Sequence, residues 1–310
     1  MKLKITGLYF LIIIMPMTTG AQEKVDTNLV MQHLKAIVET PRFRAYPDTA
    51  MLNQVAVYIH QNFEKYADSV VYQPYRLERK IFKNVIASFG TENEKRIIIG
   101  AHYDVCGNQD GADDNASGVV GLLELARLIE DKKLGYRIDL VAYSLEEPPS
   151  FRSEFMGSYV HAKYLHDNQI DVEGMICLEM IGYFNDAKKS QDYPLRILNL
   201  FYGSKGDYIT VVRDFNGGGF ARKFKRRMKR MDYLKVKSFQ APGKLTGIDF
   251  SDHLNYWKFG YKAVMITNSG FYRNKNYHQS TDQIPTLDIQ RMGGTIQSVY
   301  DSVIKLYGRE

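Results

Sequence analysis

A chain of 310 residues, 45% hydrophobic and carrying a net charge of +6, has the apolar mass for one large core and too small a charge excess for a disordered chain. Two cysteines, Cys106 and Cys177, exclude a disulfide framework and leave room for one bridge. Nothing Pro-rich, Ser-rich or repetitive divides the chain, so one domain is expected over residues 22–310.

Residues 1–21 read as a secretory signal peptide: Lys2 and Lys4, an apolar run from Ile5 to Met17, then the small residues before Ala21. An apolar run of about 13 residues falls short of the roughly 20 that span a bilayer, which favours cleavage over membrane anchoring. An exported protein is expected, periplasmic or secreted, with no stable membrane anchor after cleavage. Cleavage removes Lys2 and Lys4 and no acid, lowering the charge from +6 to +4.

Beyond the signal, apolar residues at helical spacing predict helices over 30–38 and 52–63. Short apolar runs predict strands over 84–89, 96–101 and 137–143, then 174–180, 208–213 and 262–267. Helical patterns intervene at 117–129, 154–166 and 219–231, and a last one covers 287–306. Strands alternating with helices imply an α/β fold, a single domain with a mostly parallel or mixed central sheet and helices on both faces. In 219–231 the apolar Phe220, Phe224, Met228 and Met231 oppose Arg222, Lys223, Arg226, Arg227 and Arg230. That pattern reads as a core-packed helix with a solvated basic face, and no nucleic-acid partner is expected. Phe151, Phe155, Phe271 and Tyr272 read as packing residues, with the lining of a side-chain pocket as the alternative.

Polar residues at the strand ends carry the chemistry. The run Ile97-Ile98-Ile99-Gly100-Ala101 stops at His102-Tyr103-Asp104, placing an imidazole where a buried strand emerges. Asp104, two residues on, shares its side and can accept the second N–H of His102. Gly111-Ala112-Asp113-Asp114-Asn115 precedes an apolar helix; a helix cap needs one acid, not a Gly-flanked pair, so one of the two reads as a metal bridge. Glu146-Glu147 leaves the strand 137–143, and alternation along a strand lets one glutamate ligate metal while the other meets water. Glu179 lies in the apolar run Ile176-Cys177-Leu178-Glu179-Met180, where a buried acid needs a positive partner. His278, in Tyr277-His278-Gln279, supplies a second imidazole.

From residue 84 to the C-terminus these segments, in this order, resemble the co-catalytic zinc metallopeptidase family of bacterial leucyl aminopeptidases, glutamate carboxypeptidases and, more remotely, glutaminyl cyclases. The resemblance implies an exported metallo-aminopeptidase acting on peptide substrates with two zinc ions per chain. His102 and Glu179 would hold one ion, Glu147 and His278 the other, and Asp114 would bridge them. Glu146 would be the general base and Asp104 the partner of His102, with Ser251-Asp252-His253 in support. A cis peptide is common in the family after the bridging acid, here Asp114-Asn115. The chain departs from the family at Glu179, where Asp is usual, and at Pro148-Pro149-Ser150-Phe151-Arg152, which replaces a short Gly-rich stretch. Three alternatives stay open: glutaminyl cyclase-type acyl transfer, a carboxypeptidase for acidic C-termini with Arg152 as the nearby cation, and a non-catalytic binding domain.

Overall fold

The computed structural model describes residues 24–243 and 245–309, so the signal segment read at 1–21 lies outside the described residues. Eight strands form one mixed sheet: β1 (Ser69–Leu77), β2 (Lys80–Phe89), β3 (Arg96–His102), β4 (Arg137–Tyr143), β5 (Val172–Glu179), β6 (Tyr208–Arg213), β7 (Lys235–Gln240) and β8 (Ala263–Thr267). Their order is β1-β2-β4-β3-β5-β8-β6-β7. The inner strands β4, β3, β5 and β8 are parallel. β1, β2 and β6 join antiparallel, and β7 closes the far edge parallel to β6.

The pleat sorts the apolar residues to two faces. Ile97 and Ile99 of β3 pack into one layer and Ile98 into the other. The first layer is covered by α1 (Thr27–Val38), α2 (Thr49–Phe63), α3 (Gly118–Ile129), α6 (Gly218–Met228) and α8 (Ile289–Tyr307). The second is covered by α4 (Gly157–Asp167) and α7 (His253–Lys258). A short α5 (Leu198–Tyr202) lies in the connection between β5 and β6. On α6, Phe220, Phe224 and Met228 are buried, whereas Arg222, Lys223, Arg226 and Arg230 are exposed and Arg227 is half-buried. Among the described residues no helix is long and apolar enough to cross a membrane.

Two edge strands and two short helices, β1, β7, α5 and α7, carry no strong pattern and were not expected. β1 contains Pro74 and no buried residue, and every residue of β7 is exposed or half-buried. Edge strands tolerate Pro and polar residues because one side of the ladder is unpaired.

β3 is flanked by β4 on one side and β5 on the other: the chain steps from β3 out to β4 and then crosses back past β3 to β5. In open α/β sheets a crevice opens at the carboxyl ends of such strands. His102 and Glu179 are the last residues of β3 and β5, and Glu146 and Glu147 follow β4 by three and four positions.

Candidate metal centre

All seven residues selected from the sequence converge at this crevice. His102 Nε2 lies 3.4 Å from Asp114 Oδ1 and 3.4 Å from Glu179 Oε2. His278 Nε2 lies 3.4 Å from Asp114 Oδ2 and 3.1 Å from Glu147 Oε2. Asp114 thus turns one oxygen to each imidazole. Glu146 Oε2 stands 3.9 Å from His102 Nε2.

Asp104 holds the paired glutamates in place. The backbone N–H groups of Glu146 and Glu147 donate to its two carboxylate oxygens, each at 3.0 Å. Nδ1 of His102 faces the Asp104 backbone carbonyl at 3.2 Å, and the carboxylate lies slightly farther, at 3.5 Å. The separation of Glu146 from Glu147 comes from a turn, not from strand alternation as the sequence suggested: β4 ends at Tyr143, and Leu145 has φ +61°. Met180, Ser269 and His278 also have positive φ, so strained non-glycine backbone gathers around the site.

Of the adjacent acids, Asp113 faces away and is saturated. Its carboxylate accepts from the backbone N–H groups of Gly182 and Tyr183 and the side-chain amides of Asn268 and Asn274. Asp114 follows with a cis peptide to Asn115, whose side chain ties to β5 by donating to Leu178 O and accepting from Met180 N–H. Gly111 sets up this turn: its φ is +60°, and an added Cβ would lie 2.3 Å from the Asp114 carbonyl oxygen.

Three supports had no sequence signal. Buried Asp282 accepts the N–H groups of Asp113 and Asp114. Buried Arg44 donates to the carbonyls of Tyr103, Asp110 and Gly111, pinning the His102 and Asp114 loops together. The Tyr277 ring stacks on His278 with centroids 3.8 Å apart. Arg44 and Asp282 act on backbone groups at long sequence separation and Tyr277 through the stacking of its ring on its neighbour, none of which periodicity reveals. The expected support from Ser251-Asp252-His253 is realised mainly by Ser251, whose hydroxyl donates to Glu179 Oε2 at 2.5 Å. His253 is elsewhere, against Ile248 O and Trp257.

Eight acids of these segments, Asp104, Asp113, Asp114, Glu146, Glu147, Glu179, Asp252 and Asp282, are at most 7% exposed. Burying charge without compensation is costly, and the titrations register the strain. Burial pushes Glu146 well above the carboxylate range; His102 pulls it back, and Glu147, Glu179 and Asp252 add to the rise. Burial and then Asp114 push Glu147 up to about 8. Burial acts to raise Asp114 too, but His102 and His278 hold it below its ordinary value. Burial would lower His278, yet Asp114 and Glu147 raise it to about 10. A cation between these groups would compensate the buried carboxylates.

The donor set fits a zinc-like ion. Asp114 Oδ2, Glu147 Oε1 and His278 Nε2 are buried without a hydrogen-bond partner. Two donors each about 2.1 Å from a tetrahedral ion stand about 3.4 Å apart, close to the spacings above. His102, Asp114 and Glu147 each offer an atom within 4.8 Å of the others, as do Cys106, Glu147 and His278. Cys106 and Cys177 are both free, so the bridge they allowed is absent.

The centre opens into a cavity of about 270 Å³ lined by Tyr202, Tyr208, Phe239, Phe250, Met265 and further apolar side chains. Phe151, Phe271 and Tyr272, read as packing residues, line it as well, whereas Phe155 lines a separate groove beside Tyr75. Arg152 does not reach the cavity; it pairs with Asp249 at 2.7 Å. Among the described residues no Lys or Arg lines it.

Comparison with known proteins agrees with this architecture. The chain is 40% identical over 274 residues to YfbL of Escherichia coli (strain K12), covering 86% of this chain and 84% of that one. It is 25% identical over 226 residues to Leucine aminopeptidase 1 of Ajellomyces capsulatus (strain G186AR), covering 67% of this chain and about half, 52%, of the relative. Among solved structures, the LapA aminopeptidase of Legionella pneumophila superposes with a TM-score of 0.73 at 18% identity, covering 92% of this chain and 73% of that one. A Zn-dependent exopeptidase of Parabacteroides distasonis gives 0.69 at 20% identity, covering 93% and 100%. The glutaminyl cyclase of Bacteroides thetaiotaomicron gives 0.69 at 19% identity, covering 91% and 99%. At such identities the structural likenesses bear on the fold alone. The model of Peptidase family M28 matches residues 84–303, and the chain belongs to that family.

Proposed function

We propose that this chain is an exported zinc-dependent aminopeptidase that removes residues with large apolar side chains from the N-terminus of peptides. The observation that carries the reading is the convergence of Asp114, Glu147 and His278, whose Oδ2, Oε1 and Nε2 atoms make no hydrogen bond, beside Glu146 at the mouth of a cavity lined by aromatic rings. His102 and Glu179 would hold one zinc ion, Glu147 and His278 the other, and Asp114 would serve both. Zinc bound there would supply Lewis-acid polarisation of the scissile carbonyl and acidify a water molecule.

The remaining work falls to the chain's own groups. Glu146, held by Asp104 through its backbone N–H and carrying a raised pKa, is placed to accept the proton of the attacking water and return it to the leaving amine. A neighbouring cation would favour its ionised form, the form able to take a proton. The substrate's α-ammonium would sit against the surplus of carboxylates, and its side chain would fill the apolar cavity. That arrangement counts from the amino end and disfavours internal cleavage.

Two alternatives weaken on the same evidence. A carboxypeptidase for acidic C-termini needs a cation in its pocket, and Arg152 is engaged with Asp249 outside it. A non-catalytic domain has no use for unpartnered buried donors. Glutaminyl cyclisation is separated by product: incubation with Leu- and Gln-initiated peptides, free and N-acetylated, followed by mass analysis. Loss of one residue from free-amine peptides, and no reaction of the acetylated ones, is expected. Loss of ammonia without shortening, or trimming from the carboxyl end, would overturn the reading.

A further inference from the structure

The turn after β3 carries a thiol for which the reaction above has no use. Cys106 Sγ, a carboxylate oxygen of Glu147 and a ring nitrogen of His278 lie within 4.8 Å of one another. Glu147, 3% exposed, leaves Oε1 without a hydrogen-bond partner, and its other oxygen lies 3.1 Å from the buried His278 Nε2, which makes no hydrogen bond of its own. The turn itself is fixed from both sides. Val105 N–H donates to Arg44 O at 3.0 Å while Arg44 Nε donates to Tyr103 O at 2.9 Å, and Asp104 anchors the glutamate turn opposite. Cys106 is therefore presented by a braced loop.

We propose that Cys106 is a further ligand, as a thiolate, to the metal ion held by Asp114, Glu147 and His278. The proposal rests on the metal-centre reading above and deepens it. Three protein donors leave a zinc position open, as catalytic sites require, and a thiolate would join them as a further donor. Ligation releases the thiol proton to solvent, because a coordinating thiol is deprotonated by the ion. Cys106 gives this position a softer donor set that favours zinc or cadmium over magnesium and manganese. It makes the two metal positions chemically unlike, since His102, Asp114 and Glu179 offer only nitrogen and oxygen.

Cobalt substitution tests the ligation independently of activity. The purified protein is stripped with chelator, reloaded with Co²⁺, and its absorption recorded for wild type, Cys106→Ser and Cys177→Ser. Wild type and Cys177→Ser are expected to show a sulfur-to-cobalt charge-transfer band in the near ultraviolet beside the visible ligand-field bands. Cys106→Ser should lose the first and keep the second. Ligand-field bands without a charge-transfer band in wild type, or a band that survives in Cys106→Ser, would overturn the thiolate ligand and leave the metal centre standing. No cobalt binding by the folded wild type would overturn the metal centre itself. Should Cys106→Ser misfold, iodoacetamide labelling of wild type decides: metal loading must slow alkylation of Cys106, and equal rates with and without metal overturn the proposal.

Discussion

Glu146 and Glu147 are chemically identical, so what separates them is placement. Both backbone N–H groups hang from the Asp104 carboxylate, but Glu147 turns its side chain to His278 at 3.1 Å while Glu146 faces His102 from 3.9 Å. In the proposed reaction Glu146 moves a proton and Glu147 holds metal. Glu146→Gln should keep the fold and the bound zinc and lower turnover by a factor on the order of 100 to 10,000. Metal analysis beside steady-state kinetics checks this; zinc lost from Glu146→Gln and retained in Glu147→Gln would mean the roles are exchanged. Glu179 shows the same dependence on surroundings. It stands where the family usually has Asp, and its carboxylate still points inward, steadied by Ser251 and 3.4 Å from His102 Nε2.

At the scale of elements, the basic helix α6 separates a surface feature from a functional one. Its apolar stripe is buried and its charges are spread over solvent, away from the crevice at the ends of β3 and β5. Arg226→Gln with Arg230→Gln should leave turnover of small uncharged peptides nearly unchanged and shift stability by no more than about 0.5 kcal/mol. A large loss of turnover would show that α6 takes part in the reaction. The inner strands were legible in the sequence because burial on both faces writes continuous apolar runs, as in Ile97-Ile98-Ile99. His102, Glu146, Glu147 and Glu179 were legible because each interrupts or follows such a run, Asp114 because it belongs to a Gly-flanked acid pair, and His278 through the order of segments that carries the family resemblance. Arg44 and Asp282 were not: they act on backbone carbonyls and N–H groups more than fifty residues away, and nothing in their own neighbourhood announces it. Of the cavity, only Phe151, Phe271 and Tyr272 were candidates in the sequence. Its walls come from β6, β7, β8 and the loops around them, and the edge strand β7 lacks the alternation that would have announced it.

For the whole molecule, the buried acids tie stability to protons or metal. Glu147 and Asp282, each pushed up to about 8 chiefly by burial, and Asp252, pushed up to about 7 by burial, keep protons in the folded state that the unfolded chain has already lost. His278, raised to about 10, acts with the same sign. His33, His161 and His253 are lowered to about 4 and act with the opposite sign, but only below their unfolded value near 6.5. Between pH 6.5 and 8 the metal-free folded state therefore binds more protons than the unfolded state, and stability falls as pH rises. Calorimetry of the chelated protein should show a lower Tm at pH 8 than at pH 6.5, and added zinc should remove most of the difference. A Tm that rises with pH in the metal-free protein would contradict this balance of charges.

In the proposed reaction the crevice holds two zinc ions sharing Asp114. Zinc anomalous scattering from crystals of the purified protein tests it most directly. Two peaks are expected, one among His102, Asp114 and Glu179 and one among Asp114, Glu147 and His278. A single peak beside Glu147 and His278, with Glu179 turned away from His102, would contradict it.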